Sequence, residues 1–97
     1  MVCNRKFLLH ADRVERTYKY FDGYHNLTVY EYLSGLLIYC LGKDMLTGIW
    51  HRSDGPAKIW ADGGEEFWIY GQSYKKMPSK EKIEKLRREW AIEGVLK

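Results

Sequence analysis

The sequence predicts an α+β domain in which an antiparallel β-meander of about five to six strands is followed by one C-terminal α-helix packed on the sheet. Turn-forming residues alternate with aromatic, strand-like segments at regular intervals along the sequence, most clearly between residues 51 and 71. A charged segment with helical spacing follows Pro78, and 97 residues that are 45% hydrophobic can bury one modest core. We therefore expect a single domain over 1–97, with the meander at 17–75 and the helix at 79–93.

Six strand segments are predicted where apolar residues recur at every second position between turn signals. Ser34-Gly35 is typical of a two-residue hairpin connection, and Asp62-Gly63-Gly64 supplies the positive φ that a slightly longer one needs. Both faces of the last hairpin carry aromatic rings, so one face is expected to meet the helix. The predicted strands are 17–21, 27–33, 36–41, 48–52, 57–61 and 65–70.

The C-terminal helix is predicted from its cap, its apolar stripe and its stop signal. Ser79 is a favoured N-cap residue and Gly94 is a residue type that ends helices, so the helix should run over about 80–92. Residues 5–16 fit a short helix and a strand almost equally well. The apolar stripe of the C-terminal helix consists of Ile83, Leu86 and Trp90.

Charge and cysteine content argue against several classes of protein. The net charge of +3 is mild and lies mainly at the two ends of the chain, whereas a dedicated nucleic-acid binder carries a concentrated basic face. Cys3 and Cys40 cannot form the dense disulfide framework of small secreted domains, and the first ten residues hold only a three-residue apolar run. We therefore expect a cytoplasmic protein with neither a signal peptide nor a membrane span.

An internal repeat is visible when residues 35–42 are aligned with residues 64–71, at an offset of 29 residues. Glycines then match at both ends, and apolar or aromatic residues match at four consecutive positions, from Ile38 against Phe67 onwards. This pattern predicts two hairpin-sized units that bury their apolar faces by stacking on each other.

A turn-rich motif reads His51-Arg52-Ser53-Asp54-Gly55-Pro56-Ala57, then Asp62-Gly63, then Phe67-Trp68-Ile69-Tyr70-Gly71. This motif resembles tandem repeats of the form Trp-Tyr-x-Asn-Gly-x-x-His-Arg-x-Asp-Gly-Pro-Ala in poorly characterised phage, viral and bacterial proteins, which are similar to MORN-type aromatic-glycine β repeats. The chain departs from the pattern at Tyr70, which stands where the repeat has Asn before Gly. The resemblance implies a fold and a phage setting, and it carries neither an agreed activity nor catalytic residues.

One segment of this motif combines three chemically useful side chains. His51, Arg52 and Asp54 place an imidazole, a guanidinium and a carboxylate within four residues, which suits acid–base chemistry or phosphate binding. Asp54-Gly55-Pro56 is also turn chemistry, in which the Asp side chain would accept hydrogen bonds from backbone amides while His51 and Arg52 tie the loop to a neighbouring strand. We favour this structural interpretation and keep ligand binding at the loop as the alternative.

The sequence predicts no catalytic residue, no metal site and no cofactor. Cys40 lies in an apolar run, where a free cysteine behaves as a small core residue. The histidines and cysteines lack the spacing of a zinc site, and the glycines are spread along the chain and form no phosphate-binding loop.

Aromatic residues of the predicted sheet are candidates for partner binding, because Trp and Tyr often anchor protein interfaces. Such rings also stack on nucleic-acid bases, but Glu65 and Glu66 would repel phosphate and few basic residues lie between the rings. With basic residues of the helix added, the candidate partner-binding set is Trp60, Trp68, Tyr70, Tyr39, Arg87 and Arg88.

These observations lead us to expect a small non-enzymatic binding protein, a phage-encoded modulator or inhibitor of a host defence protein that acts through protein–protein contacts in the host cytoplasm. The alternative is a binder of a nucleotide or another phosphate compound that uses the loop from His51 to Asp54. Single-stranded nucleic-acid binding is a third hypothesis. A flat exposed aromatic patch would favour a protein partner or a symmetric homodimer, and the sequence leaves the oligomeric state open.

Overall fold

A computed structural model describes residues 13–42 and 48–96 and confirms the predicted α+β meander. Antiparallel strands lie side by side in the order in which they follow one another along the chain, and one helix comes after them. The elements are β1 (Val14–Phe21), β2 (Asn26–Tyr32), β3 (Leu37–Leu41), β4 (Ile49–Trp50), β5 (Lys58–Ile59), β6 (Glu65–Ile69), β7 (Gln72–Tyr74) and α1 (Lys80–Leu96). The last part of segment 5–16 is therefore strand, whereas residues 5–12 and Cys3 lie outside the described residues.

β4 and β5 are two halves of one interrupted strand, where the sequence predicts two full strands at 48–52 and 57–61. Both halves pair antiparallel with β3, because Trp50 lies opposite Cys40 and Lys58 lies opposite Ile38. A step of two residues along β3 thus corresponds to eight residues on the partner strand. The extra residues leave the ladder as a loop, and Pro56 within it has no N–H to give to a neighbouring strand.

The two tight hairpins have the same three-residue loop. This corrects the predicted alignment of the two hairpin units, in which Gly35 was matched with Gly64. Gly35 N–H donates to Tyr32 O at 2.9 Å, and Gly63 N–H donates to Trp60 O at 2.9 Å. Both glycines have positive φ, 101° and 96°, as the third residue of such a loop requires. The loops are therefore Leu33-Ser34-Gly35 and Ala61-Asp62-Gly63, and Gly35 corresponds to Gly63 and not to Gly64.

Both faces of the central strands are buried. Alternate residues on β2 and β3 point to opposite sides, so each side receives its own apolar cluster. The first cluster consists of Leu27, Val29, Tyr39 and Ala57. The second consists of Tyr30, Leu36, Ile38 and Cys40, and the complete burial of Cys40 confirms its predicted place in the core.

The helix begins as predicted and runs further than predicted. Ser79 caps it, since the Ser79 hydroxyl accepts a hydrogen bond from Lys82 N–H at 3.1 Å. It continues through Gly94 to Leu96, so the predicted stop at Gly94 is wrong; glycine weakens a helix interior without terminating it. No helix within 13–42 and 48–96 has the length and apolarity that crossing a membrane requires.

Helix α1 packs at one end of the sheet. Ile83 is buried at 5% exposure, and Trp90 stacks on Tyr70 in the turn between β6 and β7. His25, in the connection between β1 and β2, also meets Trp90. The helix therefore joins two loops that are far apart in the sequence, and the loop between β4 and β5 lies against both of them.

Candidate functional site

The loop from His51 to Ala57 closes on a single residue of β3. His51 N–H donates to Tyr39 O at 3.0 Å, and Tyr39 N–H donates to Ala57 O at 2.7 Å. On the other side, Arg52 N–H donates to Trp68 O at 3.1 Å, and Ala57 N–H donates to Glu66 O at 3.0 Å. Each end of the loop is therefore fixed between β3 and β6, and the four residues 53–56 are excluded from the ladder.

The imidazole of His51 is fully buried and both of its ring nitrogens are occupied. Nδ1 accepts a hydrogen bond from Tyr70 N–H at 2.9 Å, so the ring hydrogen must sit on Nε2. Nε2 then lies 3.3 Å from Asp22 Oδ2 and 3.1 Å from Ser53 Oγ. The surroundings of His51 thus select one neutral tautomer.

Asp22 links the connection between β1 and β2 to this loop. Its Oδ1 accepts from Tyr24 N–H at 3.0 Å and from His25 N–H at 2.8 Å, and its Oδ2 accepts from Ser53 N–H at 2.9 Å. Burial raises the pKa of Asp22, but hydrogen bonds from His51 and from the three backbone amides lower it more, so the pKa lies well below its usual range. A buried anion therefore holds two loops together.

Sequence reasoning missed Asp22 and assigned its role to Asp54. Asp54 was expected to accept backbone amides, whereas its carboxylate receives the side chains of Arg52 and Tyr20. Asp22-Gly23 after an aromatic strand was the available signal, since Asp followed by Gly commonly binds nearby amides in turns.

Asp22, His51 and Ser53 have the residue types of a hydrolytic triad without its geometry. In a triad the acid and the nucleophile contact opposite nitrogens of the histidine. Here Asp22 and Ser53 approach the same nitrogen, and Tyr70 N–H occupies the other. All three side chains are also buried, so the cluster stabilises the fold and cannot activate the serine.

The guanidinium of Arg52 is enclosed by two tyrosine rings, at 4.2 Å from the Tyr39 centroid and 5.0 Å from the Tyr20 centroid. Its nitrogens donate to Asp54 Oδ1 at 2.7 Å, to Pro56 O at 3.2 Å and to the Tyr20 hydroxyl at 3.3 Å. The Tyr20 hydroxyl in turn donates to the other oxygen of Asp54. Arg52 and Asp54 thus bind each other and the sheet.

Gly55 lies close against this guanidinium. A Cβ at residue 55 would lie 3.0 Å from Arg52 Cζ and 3.2 Å from its Nε, closer than ordinary van der Waals contact. The Asp-Gly-Pro sequence therefore serves the packing of Arg52, because the loop backbone has to cross directly over the charged group.

Four rings hold the helix to the loops, three of them stacked and one edge-on, and we call His25, His51, Tyr70 and Trp90 the ring stack. The ring of Tyr70 stacks with that of His51, at a centroid distance of 4.1 Å, and with that of Trp90, at 5.0 Å. His25 meets the other rings edge-on, and its Nε2 lies 2.9 Å from the Tyr70 hydroxyl. Burial and the neighbouring His51 lower the pKa of His25, which favours its neutral form.

A second group of side chains forms a pre-organised aromatic patch at β4, β5 and β6. Glu66 accepts Trp60 Nε1–H at 2.8 Å on one oxygen and Trp68 Nε1–H at 3.0 Å on the other. Lys58 Nζ lies 4.2 Å from the centroid of Trp60 and 4.5 Å from that of Trp50. Trp50 and Trp68 meet edge to face at 4.8 Å. We call Trp50, Lys58, Trp60, Glu66 and Trp68 the tryptophan surface.

The six candidate partner-binding residues do not form one surface. Trp60 and Trp68 come together in the tryptophan surface, whereas Tyr39 is buried at 7% exposure and Tyr70 is enclosed in the ring stack. Arg87 pairs with Glu84 at 2.9 Å and covers the ring of Tyr24, and Arg88 is exposed on the helix. Sequence reasoning missed Trp50 and gave Lys58 no role at this patch, because their contact depends on the interruption between β4 and β5.

A groove of about 370 Å³ lies between the loop and the start of the helix. Its lining includes Asp54, Lys80, Pro78 and Ile83, together with Asp22, whose side chain is buried. Within the residues that the structure describes, no group of three or more His, Cys, Asp or Glu side chains could hold a metal ion.

No protein-family model, no curated protein and no solved structure matches this chain. The candidate sites therefore have to be interpreted from their own geometry.

Proposed function

We propose that the protein is a non-enzymatic binding protein that recognises another protein through the tryptophan surface. The observation that carries this proposal is the arrangement around Glu66, whose two oxygens hold the indoles of Trp60 and Trp68 in place. Trp60 is 42% exposed although its N–H is already bonded within the protein. It therefore offers a large apolar ring that a partner can cover without breaking a hydrogen bond.

Pre-organisation is the physical reason for this choice. Fixing a flexible side chain at an interface costs about 0.5–1.5 kcal/mol, and a ring that is fixed before binding avoids that cost. Lys58, packed between Trp50 and Trp60, limits the freedom of both rings in the free protein. Tryptophans held in this way are typical of the residues that dominate binding energy in protein interfaces.

The reactive side chains of the loop support a binding function over an enzymatic one. The imidazole of His51 and the guanidinium of Arg52 each direct their polar atoms to groups of the same chain. A general base or a phosphate ligand needs an atom that can reach the substrate, and these bonds occupy those atoms. Cys40 is buried, and burial raises the pKa of its thiol to about 11, so it is not an activated nucleophile.

We further propose that the partner is a host protein met in the host cytoplasm, with the chain acting as a phage-encoded modulator. The motif at 51–71 supports this setting through its resemblance to repeats of phage and bacterial proteins. In the structure, the His, Arg, Asp and Gly of that motif all help to hold the loop from His51 to Ala57 in place. The fold alone then accounts for the recurrence of this motif in repeat proteins. Recognition of a partner falls to the aromatic rings of the tryptophan surface.

Affinity capture with three forms of the protein tests the proposal. Wild type, Trp60→Ala and Phe21→Ala would be used as bait in a host lysate, and bound proteins would be quantified by mass spectrometry. Phe21 is 62% exposed and lies on β1, so its variant controls for the loss of an exposed ring elsewhere. We expect a partner that is retained by Phe21→Ala and lost with Trp60→Ala. Identical capture by all three forms, with circular dichroism unchanged, would refute the assignment.

The groove beside the loop supports a second candidate function, the binding of a nucleotide or another small phosphate compound. Lys80 in its lining is a cation of the kind that pairs with a phosphate, and the apolar lining residues Pro78 and Ile83 suit contact with a base. A thermal-shift screen with nucleotides distinguishes this candidate, because a ligand at 100 times its Kd stabilises the folded state by about 2.7 kcal/mol. A hit should weaken in Lys80→Ala and persist in Trp60→Ala, and a flat screen removes the candidate.

A further inference from the structure

We infer that the tryptophan surface recognises a basic, arginine-bearing segment of its partner, with a guanidinium stacked on Trp60 and paired with the carboxylates beside it. This inference rests on the proposed function and specifies its ligand.

The hairpin that carries Trp60 is acidic in an otherwise basic protein. Its residues 60–66 include Asp62, Glu65 and Glu66 and no Lys or Arg, although the whole chain has a net charge of +3. Lys58, opposite Glu66 in the ladder, is the basic residue of the tryptophan surface. Together these four groups leave an excess of negative charge at the tip and along the strand that follows it.

The carboxylate of Asp62 lies where a partner that covers Trp60 would meet it. Asp62 belongs to the hairpin loop, and its Oδ1 accepts from Gly64 N–H at 2.9 Å. A Cβ at Gly64 would lie 3.3 Å from that oxygen and 3.4 Å from Trp60 Cδ1, so the carboxylate and the indole flank the same backbone position. Glu65 alternates with Glu66 on the strand, so it points to the other side; it is exposed and adds to the negative charge of the hairpin.

Glu66 remains an anion at the centre of the patch. Burial raises the pKa of Glu66, but hydrogen bonds from Trp68 and Trp60 and the charge of Lys58 lower it further, so the net shift is downward. An ionised carboxylate at the N–H edges of two indoles makes the patch attractive to cations and repulsive to phosphate. A nucleic acid is therefore a poor occupant of this surface.

The protein already binds one of its own guanidinium groups by the same combination of groups. Arg52 lies over the ring of Tyr39 at 4.2 Å while Asp54 accepts its Nε–H at 2.7 Å. Trp60 offers the better ring for such stacking, and Asp62 offers the carboxylate. Because Lys58 covers one part of the Trp60 ring, the exposed remainder is the part that a partner's arginine would contact.

Peptide titration monitored by NMR tests the inference. The probes are three synthetic peptides of equal length in which Gly and Ser separate four Arg, four Lys or four Glu residues. Binding is measured from the shifts of the Trp60 and Trp68 indole N–H signals at low salt and at 0.3 M salt. We expect the Arg peptide to bind more tightly than the Lys peptide, the Glu peptide not to bind, and the affinity to fall with salt.

Matched variants distinguish a specific effect of the tryptophan surface on peptide affinity from a general effect of the protein's net charge. Trp60→Ala and the double variant Asp62→Asn with Glu65→Gln should each weaken the Arg peptide about fivefold or more. Glu81→Gln with Glu89→Gln removes the same charge from the helix and should leave the affinity unchanged. Equal loss in the two double variants would overturn the inference, as would binding of the Glu peptide or of single-stranded DNA at the indoles.

Two further outcomes keep the inference distinct from the proposed function. If a captured partner depends on Trp60 but is held equally by the Asp62→Asn, Glu65→Gln form, the inference fails and the proposed function stands. Sedimentation of the protein alone tests the remaining occupant, the basic helix of a second copy. Self-association that is lost in the same double variant would overturn the inference in favour of that assembly.

Discussion

Tyr70 presents its backbone N–H to Nδ1 of His51 at 2.9 Å while its ring stacks on the same imidazole at a centroid distance of 4.1 Å. Tyr70 has a φ of 48°, in the left-handed region that costs a residue with a side chain about 1–2 kcal/mol. The two contacts with His51 offset that cost. They also connect the loop to the helix, because Trp90 of the helix stacks on Tyr70 as well.

His51→Ala should destabilise the fold strongly, by about 3 kcal/mol. The substitution leaves a cavity at a fully buried position and removes the hydrogen-bond partner of Tyr70 N–H and of Asp22. Urea denaturation followed by circular dichroism measures the loss. His25→Ala is the control, since His25 is part-exposed and should cost less; equal losses would contradict the central role of His51.

Acid should weaken the protein through Asp22. The pKa of Asp22 is lower in the folded state than in the unfolded chain, so its anion contributes stability that is fully present above about pH 4. That contribution is lost progressively as the pH falls below about 4 towards the folded-state pKa. Asp22→Asn should be less stable at pH 7 and should lose less than wild type between pH 4 and pH 2.5.

Denaturation midpoints measured at those pH values in both forms check the prediction for Asp22. Asp62→Asn, in the exposed hairpin loop, serves as the control and should keep the wild-type dependence on pH. A parallel acid response of the wild type and Asp22→Asn would show that other carboxylates are responsible.

Gly55→Ala should cost about 1 kcal/mol, because the new methyl group would contact Arg52 Cζ at 3.0 Å. The cost is steric and comes from displacing a guanidinium that Tyr39, Tyr20 and Asp54 hold in place. In an Arg52→Lys background the same substitution should cost much less. A double-mutant cycle on unfolding free energies measures this coupling, and additive effects would reject it.

Trp90→Ala should release the helix while the sheet stays folded. Trp90 joins α1 to Tyr70 and His25, and losing a ring contact of this kind removes about 1 kcal/mol or more. Hydrogen–deuterium exchange should then accelerate over 80–92 and remain slow in β2 and β3. Ile92→Ala, on the same helix and 61% exposed, is the matched control and should leave the exchange unchanged.

Local patterns in the chain were sufficient for the elements. Alternation of apolar residues located β2, β3 and β6 to within a residue or so, because a residue on a strand needs only its own neighbours to set its side. Gly35 and Gly63 marked the hairpins since few other residues adopt their positive φ, and Ser79 marked the start of the helix. The short β7 carried no alternation long enough to read, and it was missed.

The amino-acid order thus specified a meander with a capped helix, because alternation, turn φ and capping act over a few residues. Three-dimensional packing specified the rest: that 49–50 and 58–59 share one position in the sheet, that Asp22 lies beneath the loop that starts 29 residues later, and that Trp50 and Lys58 meet Trp60. Each of these contacts depends on strand register, which is fixed by the sum of many weak contacts between residues distant in the chain.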